Sequence, residues 1–289
     1  MISIRSQRLL PLLAFLAIVS TSCPEQGRND AFFFMVFADP QFGITSGGAE
    51  WVQEEINLGK AVDAANRLRP AFVVVCGDLT HLTGDSAAID AYTRAIRRLD
   101  AAIPLYELPG NHDVGNIPTD ASLAAYRAVF GKDYYAFRNG FVHGIVLNAP
   151  LIKDSTLVRE ERERQDAWLR RELETIRRHP GRHAIVFQHQ PWFVDSLHEA
   201  DGYENLPQST RERYLKSFAD AGVSHVFSGH LHRNARSTYE GVTMITTGPV
   251  SMQLGNDPTG VRIVFVDHDS LKDVYYPLNE IPEDLKPAR

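Results

Sequence analysis

Cysteine is almost missing from this chain: 289 residues hold two, Cys23 and Cys76. Two cysteines cannot build a disulfide framework. With Cys76 inside the apolar run FVVVCGD, they cannot build a thiolate metal site either. Long blocks of one charge sign are also missing. The mixed run Arg159–Arg164 reads as a solvated helix face. The net charge is −6, so nothing attracts nucleic acid in general, and no nucleic-acid partner is expected. No apolar run is long enough to span a bilayer. The one at Leu9–Val19 stops well short of the roughly 20 residues required. There is no internal repeat, no low-complexity linker and no sign of a second domain boundary.

What is present begins with a leader. Arg5 and Arg8 form a positive n-region, Leu9–Val19 an apolar h-region, and Ser20, Thr21 and Ser22 precede Cys23. The pattern resembles a bacterial lipoprotein signal, with residues 1–22 removed and Cys23 lipidated. Losing Arg5 and Arg8 would move the mature chain from −6 to −8. Residues 23–31 are a polar tether, and 32–280 form the folded domain. The expected product is an exported, membrane-anchored lipoprotein, facing the periplasm or the cell surface, and monomeric.

Beyond the tether, short apolar runs alternate with amphipathic stretches. The runs at 32–38, 72–76, 103–108, 142–147, 183–188, 225–228, 242–247 and 261–267 have strand length and are rich in Val, Ile and Phe. Helical spacing covers 51–68, 86–99, 119–130, 158–179 and 208–221, with Ser86 and Thr119 as capping residues. This is an α/β layered domain.

Five strand ends carry the chemistry. They are Asp39-Pro40-Gln41, Gly77-Asp78-Leu79, Gly110-Asn111-His112-Asp113, His189-Gln190-Pro191 and Gly229-His230-Leu231-His232. In open α/β sheets, ligands bind beyond the carboxyl ends of the strands. Asp39, Asp78, Asn111, His189, His230 and His232 offer carboxylate, amide and imidazole. That composition suits two divalent cations about 4 Å apart, with the two oxygens of Asp78 available to bridge them. Glycines at 77, 110 and 229 permit close backbone approach. Arg233 and Asn234 follow the last motif, either to meet a phosphate or to close a turn. The irregular segment 192–207, together with 43–51, is the expected substrate rim. His81, His143, His179, His183, His198, His225 and His268 fall outside the motifs and read as surface or structural, although His81 is close enough to Asp78 to line the rim.

The series FADPQFG, VVVCGDLT, LPGNHD, FQHQP and SGHLHRN resembles the calcineurin-like metallophosphoesterase superfamily over roughly residues 32–267. It is most similar to a branch whose first motif is also Asp-Pro-Gln. The resemblance implies a single-domain, four-layer α/β/β/α sandwich. It implies Asp39, Gln41, Asp78 and His232 around one metal, and Asp78, Asn111, His189 and His230 around the other. His112 would contact the phosphate and donate a proton, oriented by Asp113. Eukaryotic members of the branch are serine/threonine protein phosphatases.

The expected activity is therefore phosphomonoester hydrolysis by two-metal-activated water, with no covalent intermediate. An amide at Gln41, where many relatives place His, is a weaker donor to borderline metals. Mn or Mg is thus favoured over Fe or Zn. The alternatives are a phosphodiesterase acting on cyclic nucleotides or glycerophosphodiesters, and a non-catalytic phosphate- or metal-binding lipoprotein.

Overall fold

The computed structural model describes residues 31–179 and 183–285. The leader, Cys23 and nearly all of the tether lie outside the described residues. Among the described residues, no helix is long and apolar enough to cross a membrane.

Among the described residues the strands are β1 (Phe32–Phe37), β2 (Val73–Cys76), β3 (Leu105–Leu108), β4 (Tyr135–Asn139), β5 (Val142–Val146), β6 (His183–Phe187), β7 (Val223–Ser228), β8 (Ala235–Tyr239), β9 (Val242–Thr246), β10 (Gly260–Val266) and β11 (Leu271–Pro277). The helices are α1 (Val52–Leu68), α2 (Ser86–Ile96), α3 (Asn111–Val114), α4 (Asp120–Phe130), α5 (Ala149–Lys153), α6 (Arg159–Arg178) and α7 (Gln208–Ala221). One sheet runs β11-β10-β1-β2-β3 and the other β4-β5-β6-β7-β9-β8. β1, β2 and β3 are parallel, as are β5, β6, β7 and β9; the outer strands of each sheet pair antiparallel where β10, β11, β4 and β8 join.

Successive side chains of a strand point to opposite faces, and both faces here are apolar. In β1, Phe34 and Val36 meet Phe187, Phe227 and Ile245 of the other sheet. Met35 and Phe37 turn the other way, toward Leu58 and Val62 of α1 and Tyr92 of α2. In the second sheet, Val186 and Val226 face outward to Leu169 and Leu173 of α6 and to Leu215 and Phe218 of α7. The order of layers is α/β/β/α, as the resemblance implied. Cys76 is a buried free thiol in the layer between the sheets.

One local expectation changes. The cap of α2 is Asp85, whose Oδ1 accepts from the amides of Ala87 (3.0 Å) and Ala88 (3.1 Å), rather than Ser86. The Asn111-His112-Asp113 stretch is a single helical turn.

Candidate metal centre

The site residues leave parallel strands: Asp39 and Gln41 follow β1, Asp78 follows β2, Asn111 follows β3, His189 follows β6, and His230 and His232 follow β7. The turns that aim them are unusual. Asp39, Gln41, Asp78, His230 and His232 all have φ between 34° and 73°, the left-handed region that L-residues with a Cβ avoid. Each costs roughly 1–3 kcal/mol, and such strain persists where the surroundings hold a functional geometry. Part of the holding is visible. The Gln41 amide donates to the Asp78 carbonyl at 2.8 Å, and the Phe42 amide to Leu79 at 3.1 Å, so the first two loops run side by side. Both Asp39 oxygens accept from the His230 amide at 3.0 Å, tying the first loop to the last.

Two groups of ligand atoms result, Asp78–His189–His230 and Asp39–Asp78–His232, each with its atoms within 4.8 Å of one another. Asp78 belongs to both. His189 Nε2 lies 3.1 Å from Asp78 Oδ2, 3.1 Å from Asn111 Oδ1 and 3.1 Å from His230 Nδ1. The far nitrogen of each ring meets a backbone carbonyl: His189 Nδ1 to Cys76 (2.8 Å), His230 Nε2 to Tyr203 (2.9 Å) and His232 Nδ1 to Met252 (2.5 Å). A ring that donates at one nitrogen presents the lone pair of the other, which is how metal-ligating histidines are oriented. Asn111 is fixed likewise. Its Nδ2 donates to Asn116 Oδ1 (3.1 Å) and to the Tyr203 hydroxyl (2.8 Å), turning Oδ1 inward.

Gln41 adds the observation that decides the fit. Its Oε1 is buried and has no hydrogen-bond partner, while its Nε2 lies 3.4 Å from His81 Nδ1. A buried orphan oxygen is costly unless something outside the protein satisfies it. Oxygen and imidazole donors that share one carboxylate and include an unclaimed amide oxygen fit a pair of divalent cations.

Crowded charge in a dry space pushes the titrations apart. Burial drives His230 down to about 3, with the charge of His189 adding to it. Burial also works against the charged form of His189, but the Asp78 carboxylate beside it overrides this and holds the ring near 9. Asp78 is pulled below the usual carboxylate range, its burial outweighed by His189. Burial and the charge of Asp78 together raise Asp113 to about 7.

A family model for calcineurin-like phosphoesterases matches residues 34–234. The chain belongs to the calcineurin-like phosphoesterase family. Serine/threonine-protein phosphatase CPPED1 of Homo sapiens is 40% identical over 268 residues, covering 87% of this chain and 85% of the human one. Among solved structures, GAP50, the anchor in the inner membrane complex of Plasmodium, superposes with a TM-score of 0.64 at 14% identity, covering 86% and 85% of the two chains. A dimetal phosphatase from Danio rerio superposes with a TM-score of 0.56 at 18% identity, covering 85% and 99%. This calcineurin-like phosphoesterase is thus a hydrolase of phosphoesters with a dimetal site.

Its remaining expected site residues are placed differently from one another. His112 stands beside the cluster, its amide donating to Asp78 Oδ1 at 2.9 Å. Its Nδ1 meets the His81 carbonyl at 2.6 Å, and Nε2 has no hydrogen-bond partner among the described residues. Asp113 does not orient that ring. Its carboxylate instead accepts from the amides of Leu79 (2.9 Å), Thr80 (3.2 Å) and Gly110 (2.8 Å), locking the second and third loops together. Arg233 lies at the rim, 3.8 Å from Glu204. Asn234 takes the structural role, accepting from the Gly248 amide at 3.2 Å. His81, whose ring stacks on His112 at 5.1 Å between centroids, is closer to the centre than its place outside the motifs suggests, and Asn116 and Tyr203 join the site without belonging to any motif. Position relative to Asp78 was the available signal for His81. For Tyr203 it was membership of the rim segment.

Proposed function

We propose that this phosphoesterase hydrolyses phosphomonoesters, with Asp39, Gln41, Asp78 and His232 holding one cation and Asp78, Asn111, His189 and His230 the other. The observation that carries the reading is the shared carboxylate: Asp78 stands in both ligand groups, next to His112. When bound, two divalent cations supply positive charge to the phosphoryl oxygens and make water a nucleophile near neutral pH. The protein's own part is positional. Its carbonyls fix the imidazoles, and its strained turns converge the carboxylates. With Nδ1 taken by the His81 carbonyl, Nε2 of His112 is the ring atom that would pass a proton to the leaving oxygen. Arg233 at the rim adds a cation for the phosphate to approach. The amide of Gln41 favours Mn²⁺ or Mg²⁺ over Zn²⁺ or iron.

The name of the human relative makes phosphorylated serine and threonine the first substrates to try. The leader argues for a wider search, because an exported lipoprotein meets few cytoplasmic phosphoproteins. Its n-region, short apolar core and Cys23 support lipid anchoring outside the cytoplasm, and the acidic mature chain supports no nucleic-acid partner. Mass analysis of the membrane-extracted protein tests the anchor: Cys23→Ala should abolish both the acyl mass and membrane retention.

The test of the activity is a metal-by-metal comparison of p-nitrophenyl phosphate with bis-p-nitrophenyl phosphate, using residues 24–289. Faster turnover of the monoester with Mn²⁺ supports the reading. Faster turnover of the diester replaces it with a phosphodiesterase. Phosphate binding with no turnover of either replaces it with a binding protein.

A further inference from the structure

The rim segment 192–207 is irregular, yet it is braced at several points. Glu199 accepts from the amides of Val194 (2.9 Å), Asp195 (2.8 Å) and Ser196 (3.0 Å). Arg211 of α7, fully buried, donates to the carbonyls of Leu206 (2.8 Å), Leu197 (3.0 Å) and Glu199 (2.7 Å). Lys153 at the end of α5 donates to the carbonyls of Gly202 and Asn205. A charged side chain threaded through carbonyls holds a loop in one shape without any regular secondary structure. The residue this brace delivers to the metal centre is Tyr203.

Tyr203 touches the second ligand group twice. Its carbonyl accepts from His230 Nε2 at 2.9 Å, and its hydroxyl accepts from Asn111 Nδ2 at 2.8 Å. Its ring leans on the His230 ring, with centroids 4.8 Å apart at 41°. The residue is nevertheless 57% exposed, so part of the ring faces open space at the mouth of the site. Having accepted from Asn111, the hydroxyl keeps its own hydrogen to donate, and among the described residues no acceptor claims it.

We propose that Tyr203 is the specificity-determining residue of this site: its hydroxyl donates to the phosphoryl group, and its ring is the platform for the leaving group. The inference rests on the phosphomonoesterase reading. An aromatic ring fixed beside a phosphate-binding centre favours a flat neighbour, because offset or edge-to-face ring pairs gain beyond their buried area. The preferred substrates are therefore phosphomonoesters whose leaving group carries a planar ring, aryl or nucleoside, over those with a small aliphatic one. Since the platform is braced before substrate arrives, its ordering cost is already met.

Phosphonates test this without turnover. Phenylphosphonate and methylphosphonate are titrated calorimetrically into Mn²⁺-loaded protein, wild type, Tyr203→Leu and Tyr203→Phe. The wild type should bind phenylphosphonate about three- to tenfold more tightly than methylphosphonate. Tyr203→Leu should erase that preference. Tyr203→Phe should keep it while weakening both ligands by a similar factor, about three- to tenfold, through loss of the hydroxyl. A preference that survives Tyr203→Leu, or is lost in Tyr203→Phe, overturns the proposal. Phenyl phosphate hydrolysis by the wild type is followed separately. An intact binding preference without hydrolysis would support Tyr203 as the platform and overturn the enzymatic reading instead. Nucleoside 5′-monophosphate against phenyl phosphate then separates the two kinds of ring.

Discussion

The side-chain amide of Gln41 is held at its nitrogen end alone: Nε2 lies 3.4 Å from Nδ1 of His81, and Oε1 is buried without a partner. His81 thus decides which atom Gln41 shows to the centre. Gln41→Ala should lower metal affinity at that position by about tenfold or more, since even outer partners of ligands are worth that much. Gln41→His should raise affinity and shift selectivity toward Zn²⁺, because imidazole is the better donor to borderline cations. Metal content after purification and Mn²⁺ titration check both. A tightly held iron–zinc pair in the wild type, retained through chelation, would contradict the idea.

Asp113 makes a different prediction from the one its motif implies. Because its carboxylate bonds three backbone amides and not the His112 ring, its role is to set the loops. Asp113→Asn keeps the shape but places an amide group where N–H donors converge. It should cost about 1–3 kcal/mol of stability, the usual penalty for a buried donor left unpaired. Urea denaturation measures this. The residual activity should keep the wild-type pH profile of kcat. A displaced profile at unchanged stability would return Asp113 to a direct part in proton transfer.

Gly110 is needed for space rather than for conformational freedom. Its φ is −99°, which any residue adopts, but a Cβ there would lie 2.0 Å from Asp78 Oδ1 and 2.4 Å from the Asp78 amide nitrogen. The backbone at that contact cannot yield cheaply. Gly110→Ala should therefore displace the shared carboxylate and lower kcat/KM by about 100-fold or more, the loss expected when a reacting centre moves by about 1 Å. Mn²⁺ affinity should fall with it, while far-UV circular dichroism stays native. Full activity in the alanine variant would mean that Asp78 is not a shared ligand.

The strands that end in candidate ligands were legible because each is an apolar run closed by Gly or Pro, and their order along the chain carried the fold. β4 and β8 are short edge strands of mixed polarity, with burial alternating weakly; the aromatics Tyr135 and Phe137 read as strand-like, but neither strand is an apolar run. The candidate ligands were legible as residue types after strands. The left-handed turns that aim them were not, since nothing in Asp39 or His232 by itself announces a positive φ. Partners acting through backbone carbonyls were equally hidden. Met252 and Cys76 orient His232 and His189 through atoms that every residue possesses. Tyr203 reaches Asn111 across 92 positions of chain, a distance at which no local pattern survives.

Away from the centre, His225 on β7 supplies a test of the acid limb of stability. Burial lowers its pKa to about 4, with the ring of His183 and the guanidinium of Arg236 pushing the same way and Asp273 pulling back. In the unfolded chain the same group titrates near 6.5. A folded-state pKa below the unfolded one means that the unfolded chain binds the proton first. The contribution is fully present above about pH 6.5 and is lost as pH falls through 4. Wild-type unfolding free energy should therefore drop between pH 7 and pH 5 by about 2 kcal/mol more than that of His225→Gln, which has nothing to protonate. Urea titrations of both proteins at pH 7, 6 and 5 measure the difference. Parallel pH dependences would show that His225 carries no such penalty and that the acid limb belongs to other groups.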